Sequence, residues 1–286
     1  SRLPWHLFPA SGKSAEAIAI AQIDSSRELA GLRLAKPPAP PARPLLVVAG
    51  GVDFAGGETG GSELKVAALP GTLKEAERLR QLALSLGMQV TLLKESEANK
   101  SRIRELLPQA TWIHLATHGF FFDEARAATI SRLPAAGQKA ARRPLRNPLV
   151  ESGIILAREQ SRKSEAGSGR FLTAEELVGM DLSKAELFAL SACETGLGES
   201  ATGQGVLGLR AAIMAAGARS ILMSLWKVPD ESTLILMNEF YNNLWVKKMP
   251  RVEALRQAQL TVAGQPYDRF KNPVNWAGWV LVGDGW

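Results

Sequence analysis

Apolar runs that do not alternate recur along the chain, and each ends abruptly in small or polar residues. Leu45 to Gly51 (LLVVAGG), Met88 to Leu93, Trp112 to Thr117, Ile154 to Ala157, Glu186 to Cys193, Ser220 to Leu225 and Trp276 to Val282 all read this way. Such runs suit strands covered on both faces, as in a parallel sheet. Segments of helical period separate them. Thr72 and Glu75 form a capping-box pattern that opens a helix running to about Leu86, closed by Gly87. Glu97 to Leu107 is a second helix, and Thr173 with Glu176 makes another capping box for a short third. Gly203 to Ala216 sets Val206, Leu207, Leu209, Ile213 and Met214 on one face, and Glu231 to Val246 and Val252 to Val262 are amphipathic. Strand and helix alternate throughout. With right-handed crossovers, that order predicts an α/β fold in which a mostly parallel sheet carries helices on both faces.

Two stretches fall outside the pattern. Ser14 to Ala35 has helical composition, and the proline-rich KPPAPPARP from Lys36 to Pro44 then admits neither helix nor sheet interior. Residues 1–43 are therefore read as an N-terminal helical segment and extended linker, with one large domain over 44–286. From Asp123 to about Leu149 the period vanishes among turn formers, and residues 123–169 read as a mobile insertion. Charge sharpens that reading. The net charge is +6, yet Arg126 to Arg170 holds ten Lys/Arg against three Asp/Glu, so the excess is local. A nucleic-acid track would spread it along a face with aromatics interleaved, and direct nucleic-acid binding is not expected.

Function in such sheets gathers at the carboxyl ends of strands, where His118 and Cys193 both fall. A thiolate attacks carbonyls, and an imidazole in reach can take the thiol proton at neutral pH. A lone cysteine is more often a small buried hydrophobe. Against that stands its setting, because Cys193 is trailed by Glu-Thr-Gly-Leu-Gly, a loop with room for a substrate backbone. The single cysteine excludes an internal disulfide framework, so a reducing cytoplasm is the expected location. No run of about eighteen apolar residues suggests a membrane span, and a chain opening at Ser1 reads as a piece of a longer protein.

The stretches HLATHGFF, LSACETGLG, GQGVLGLRAAIMAAGARSILMSLWKVPDESTLILMNEFYNNL and WAGWVLVGD resemble the CHAT family, a caspase-like branch of the clan that includes separase and gingipain. The resemblance runs from about Pro44 to the C-terminus. It implies a caspase-like three-layer sandwich and a cysteine endopeptidase acting on protein substrates. His118 corresponds to the family's catalytic histidine and Cys193 to its nucleophile, with the backbone N–H groups of Gly119 and Cys193 as oxyanion donors. No metal or organic cofactor is implied, whereas gating by a sensor region or partner protein is. Gln204 departs from the family's usual Glu at a position that bears on a helix start. SLWKVPD is similar to the separase stretch whose last aspartate meets a substrate arginine, which makes Asp230 the candidate pocket carboxylate and Asp53 the second choice. Asp230 also precedes a helix, with Thr233 three residues on, so an N-cap is the competing role. Caspase-like enzymes are often cut between their catalytic strands, so Asp123 to Gly169 is a candidate for self-cleavage.

Other chemistries are less well supplied. His114 and His118 are four apart, but the run reads as strand and Leu115 stands where a zinc peptidase motif needs Glu; His114 is expected to be a buried neighbour that hydrogen-bonds locally. The glycines after Leu45 to Gly51 match neither phosphate-loop pattern, and Asp53 and Glu58 would repel phosphate. The rival to an enzyme is a caspase-like scaffold kept for protein interaction, without catalysis.

Overall fold

The computed structural model describes residues 20–22, 43–54, 66–121, 149, 152–159, 169–191 and 204–285. Ten strands and seven α-helices are defined among them: β1 (Ala21–Gln22), β2 (Leu45–Val52), α1 (Pro70–Ser85), β3 (Gln89–Glu95), α2 (Lys100–Leu106), β4 (Trp112–Leu115), β5 (His118–Phe121), β6 (Ser152–Ile155), β7 (Phe171–Thr173), α3 (Ala174–Val178), β8 (Leu187–Leu190), α4 (Gln204–Ala215), β9 (Ser220–Ser224), α5 (Asp230–Tyr241), α6 (Arg251–Ala263), α7 (Asp268–Lys271) and β10 (Trp279–Gly283). Seven strands form one sheet in the order β1-β10-β9-β8-β4-β2-β3, parallel except where β10 runs against β9. A second sheet, β5-β6-β7, is antiparallel.

The period of two sorts each central strand between two cores. Val47, Ile113, Leu115, Phe188, Ile221 and Val280 pack with Ile103, Leu177 and Ile213 on one face. Leu46, Val48, Leu187, Leu222 and Leu281 pack with Leu79, Phe240 and Leu255 on the other. Helices α2, α3 and α4 thus cover one face and α1, α5 and α6 the other, which is the three-layer sandwich that the unbroken apolar runs predict. At the amino ends of β8 and β9, Glu186 and Asp284 pair with Arg219 and Arg251, fixing the edge opposite the strand carboxyl ends.

Several expectations change. Thr72 and Glu75 form no capping box: Pro70 opens α1, Thr72 Oγ1 accepts from Gly51 N–H, and the Glu75 carboxylate turns inward to His114. A proline's fixed φ suits the first helical turn, so the start moves ahead of the threonine. The box at Thr173 and Glu176 does form, with both reciprocal bonds present. Ala21–Gln22, inside the stretch of helical composition, is a strand; the edge of β10 offers it a parallel ladder that outweighs weak local preference. The single strand expected over Trp112 to Thr117 ends at Leu115, and His118 starts β5 in the other sheet. Thr117 makes the break, its hydroxyl donating 2.5 Å to the Ile155 carbonyl of β6. The helix expected to Val246 changes at Asn242 to a π-turn. Of residues 123–169, the strand expected over Ile154 to Ala157 is found two residues earlier, as the buried Ser152–Ile155, and 123–148, 150–151 and 160–168 lie outside the described residues. Among the described residues no helix is long and apolar enough to cross a membrane.

Candidate active site

His118 is the best-defined member of the candidate site. It follows the carboxyl end of β4, is only 2% exposed, and packs at a tilt against Phe54, two residues past the end of β2 (ring centroids 5.0 Å apart, planes at 52°). Its Nε2 lies 2.7 Å from the carbonyl oxygen of Ala67, in the segment leading into α1. A carbonyl can only accept, so Nε2 carries the proton and, in the neutral ring, Nδ1 carries the lone pair. Nδ1 is buried and has no hydrogen-bond partner among the described residues. That is the atom left free to take a proton.

Burial pushes the His118 pKa below the ordinary imidazole range, the Ala67 carbonyl pulls it partly back, and the nearby charges of Lys227 and Arg170 lower it further. Arg170 is itself buried against the site, with Nη2 donating to the Phe54 carbonyl at 3.5 Å. Lys227 is exposed, in the loop between β9 and α5. A ring kept neutral near pH 7 suits a general base. The acid limb of kcat/KM is therefore expected below pH ~6.5, and Lys227→Met should move it upward. A pH profile at low ionic strength checks this. The shift should shrink in high salt, because Lys227 is exposed, and an unmoved limb at low salt would show that Lys227 does not tune the base.

The other sequence candidates fall out as follows. Gly119 is next in β5, opposite Ile154. Cys193 lies outside the described residues, which reach Ser191 just beyond β8. Asp53 is exposed at the end of β2, its N–H donating to the Glu95 carbonyl. Asp230 is exposed as the first residue of α5 and makes no cap bond; Pro229 occupies the cap position, and the Pro229 carbonyl accepts from Thr233 N–H. Its carboxylate has no hydrogen-bond or ion-pair partner among the described residues and lies over Gly71, where an added Cβ would come 2.8 Å from Oδ2. Gly71 is four residues from Ala67, so Asp230 borders the segment that holds His118. Gln204 opens α4, as a helix-start role requires.

His114 is not a second group at this rim. It is fully buried in the main sheet, with Nε2 2.9 Å from Glu75 Oε1 and Nδ1 3.0 Å from the Tyr241 hydroxyl. The expected local hydrogen bonding is instead long-range, to two helices. Ala67, Phe54, Arg170 and Lys227 were not legible as site residues. Ala67 acts through its backbone and leaves no side-chain signal, and the others are brought in by tertiary packing. Phe54 alone had a cue, as an aromatic just past a strand end.

The CHAT domain profile matches residues 1–284. The chain belongs to the CHAT domain family. Human tetratricopeptide repeat protein 28 is 30% identical over 223 residues, covering 75% of this chain and 8% of that protein. Its mouse counterpart is 31% identical over 192 residues, covering 66% and 8%. The chain thus spans under a tenth of the length of these curated relatives. Among solved structures, the separase–securin complex of Saccharomyces cerevisiae aligns over 98% of this chain and 14% of that one, with a TM-score of 0.52 and 10% identity. At that identity the likeness is one of fold, the caspase-like α/β sandwich of this CHAT domain.

Proposed function

We propose that this CHAT domain is a cysteine endopeptidase in which Cys193 is the nucleophile and His118 the general base. The observation that carries the reading is the buried His118 ring, its proton fixed on Nε2 by Ala67 and its Nδ1 unpartnered among the described residues. Register supports the partner. Leu115 of β4 is paired in parallel with Leu190 of β8, and His118 and Cys193 each follow that pair by three residues in sequence. In the proposed reaction Nδ1 takes the thiol proton as sulfur attacks the scissile carbonyl carbon, and the N–H groups of Gly119 and Cys193 hold the oxyanion. Collapse breaks the C–N bond, with the amine leaving as it takes the proton from His118. Water activated by the same nitrogen then hydrolyses the thioester and frees the thiol. A peptidyl acyloxymethyl ketone should alkylate Cys193, read by peptide mass mapping, and cleave-site profiling of a peptide library should return products. Absence of both under activating conditions would leave the interaction scaffold as the reading.

We further assign Asp230 as the carboxylate that selects Arg or Lys before the scissile bond, with Asp53 at the same rim as the alternative. An exposed carboxylate over Gly71, without a partner among the described residues, can take a guanidinium in a bidentate pair. Asp230→Asn is expected to lower kcat/KM on an arginine peptide by about 30-fold or more, the equivalent of roughly 2 kcal/mol for a lost charged partner. Stability should barely change, because the side chain makes no cap bond. Equal rates for the two proteins on that peptide, or a parent preference for an apolar residue there, would remove the assignment. The gating region belongs to this proposal too: the curated relatives are named for tetratricopeptide repeats, and such repeats in a longer chain would serve as the sensor or partner surface.

A further inference from the structure

We propose that Thr72 is a positioning residue for His118, one buried hydroxyl tying together the two backbone segments that hold the imidazole. The inference rests on His118 being the base proposed above, and it concerns how that ring is kept in one place and one tautomer.

The two supports of His118 come from irregular backbone. Ala67 lies in the segment 66–69 ahead of α1, and Phe54 lies beyond the last residue of β2. Neither stands in a strand or helix. Both segments meet at Thr72. Its Oγ1–H donates 2.7 Å to the carbonyl of Leu69, two residues after Ala67, and its oxygen accepts from the N–H of Gly51 at 2.9 Å, three residues before Phe54. The hydroxyl uses its donor and an acceptor site at once, as a bridge requires.

Packing leaves little room for another arrangement. A Cβ on Gly50 would sit 2.3 Å from the Thr72 carbonyl oxygen, and Gly51 has a left-handed φ of 63° with Leu73 Cβ 2.9 Å from its own missing Cβ. The end of β2 is therefore flush against the first turn of α1, and the Gly51 N–H points at the hydroxyl. Removing that acceptor loosens the turn leading to Phe54, which keeps the bond from Asp53 N–H to the Glu95 carbonyl and the one from Arg170 to the Phe54 carbonyl. The Thr72 amide also reaches Leu69 O at 3.2 Å, so the segment carrying Ala67 keeps a backbone tether and the helix start survives. A shift of the order of 1 Å in a positioned base can cost about 100-fold in rate.

The test uses Thr72→Val, which keeps the branched shape without the hydroxyl, and Thr72→Ser, which keeps the hydroxyl. The chain has three histidines, so imidazole nitrogen NMR resolves His118, assigned by its own substitution. Thr72→Val is expected to weaken the Nε2–H tautomer of His118, to move its titration, and to lower kcat about 10- to 100-fold with KM within twofold. Thr72→Ser is expected to restore the parent spectrum and rate. A Thr72→Val protein that is less stable but has the parent's His118 signals makes Thr72 merely structural and overturns the inference. Should valine not fold, Thr72→Ala carries the same two expectations. The NMR readout needs no turnover: if the parent neither cleaves nor is alkylated, the peptidase reading fails, and the His118 spectrum still decides the role of Thr72.

Discussion

Cys193→Ala and His118→Ala should each lower peptide cleavage by several orders of magnitude, and the double variant should be hardly slower than either alone. A nucleophile and its base act on one proton, so once either is gone the other has nothing left to do. His118 sits deeper than a rim position implies, at 2% exposure. Its alanine variant therefore leaves a small cavity next to Phe54 and an unanswered Ala67 carbonyl, at a cost of roughly 1–2 kcal/mol. That is small beside the stability of a domain with two continuous cores, and the fold should persist. Urea unfolding of each variant beside its single-turnover rate separates lost chemistry from lost structure. Cleavage retained by purified Cys193→Ala would end the assignment of the nucleophile.

The sheet was legible because burial on both faces leaves a signal that needs no tertiary knowledge. LLVVAGG cannot be half-exposed, and it became β2, an inner strand between β4 and β3 with Leu46 and Val47 facing opposite cores. Sites where local and long-range forces compete were not legible. Thr72 and Glu75 satisfy the capping-box spacing, yet Pro70 starts the helix earlier, and both side chains then serve distant partners, Gly51 and His114. TWIHLATHGFF carries no glycine or proline before His118 to mark a break, so it reads as one strand; the turn at Thr117 is made by a hydroxyl bond to β6, thirty-eight residues on. The proposal that His118 is the base does not depend on the strand being continuous. The ring is held by the segments just before α1 and just after β2, through Ala67 and Phe54.

His114→Ala should be the most destabilising single change near the site, by about 3 kcal/mol or more, while leaving the reacting groups in place. The imidazole joins three elements by hydrogen bonds: β4, α1 through Glu75, and α5 through Tyr241. Burial, reinforced by the Glu75 charge, holds the Tyr241 pKa well above its ordinary value, so its hydroxyl keeps its proton and donates to Nδ1. Nε2–H then donates to Glu75. Alanine would strand a carboxylate at 3% exposure and a fully buried phenol, and would open a cavity beside Trp245, whose ring packs 4.4 Å from Tyr241. Each buried polar group left without a partner costs about 1–3 kcal/mol, more for a charged one, and the cavity adds to that. Tyr241→Phe should cost only about 1–2 kcal/mol, because it removes one hydrogen bond and no volume. The combination decides the mechanism. Glu75→Ala with His114→Ala should lose clearly less than the sum of the two single losses, since the second change removes a group already orphaned. Unfolding midpoints for the four proteins measure this, and additive losses would mean that Glu75 and His114 are packed side by side without being coupled.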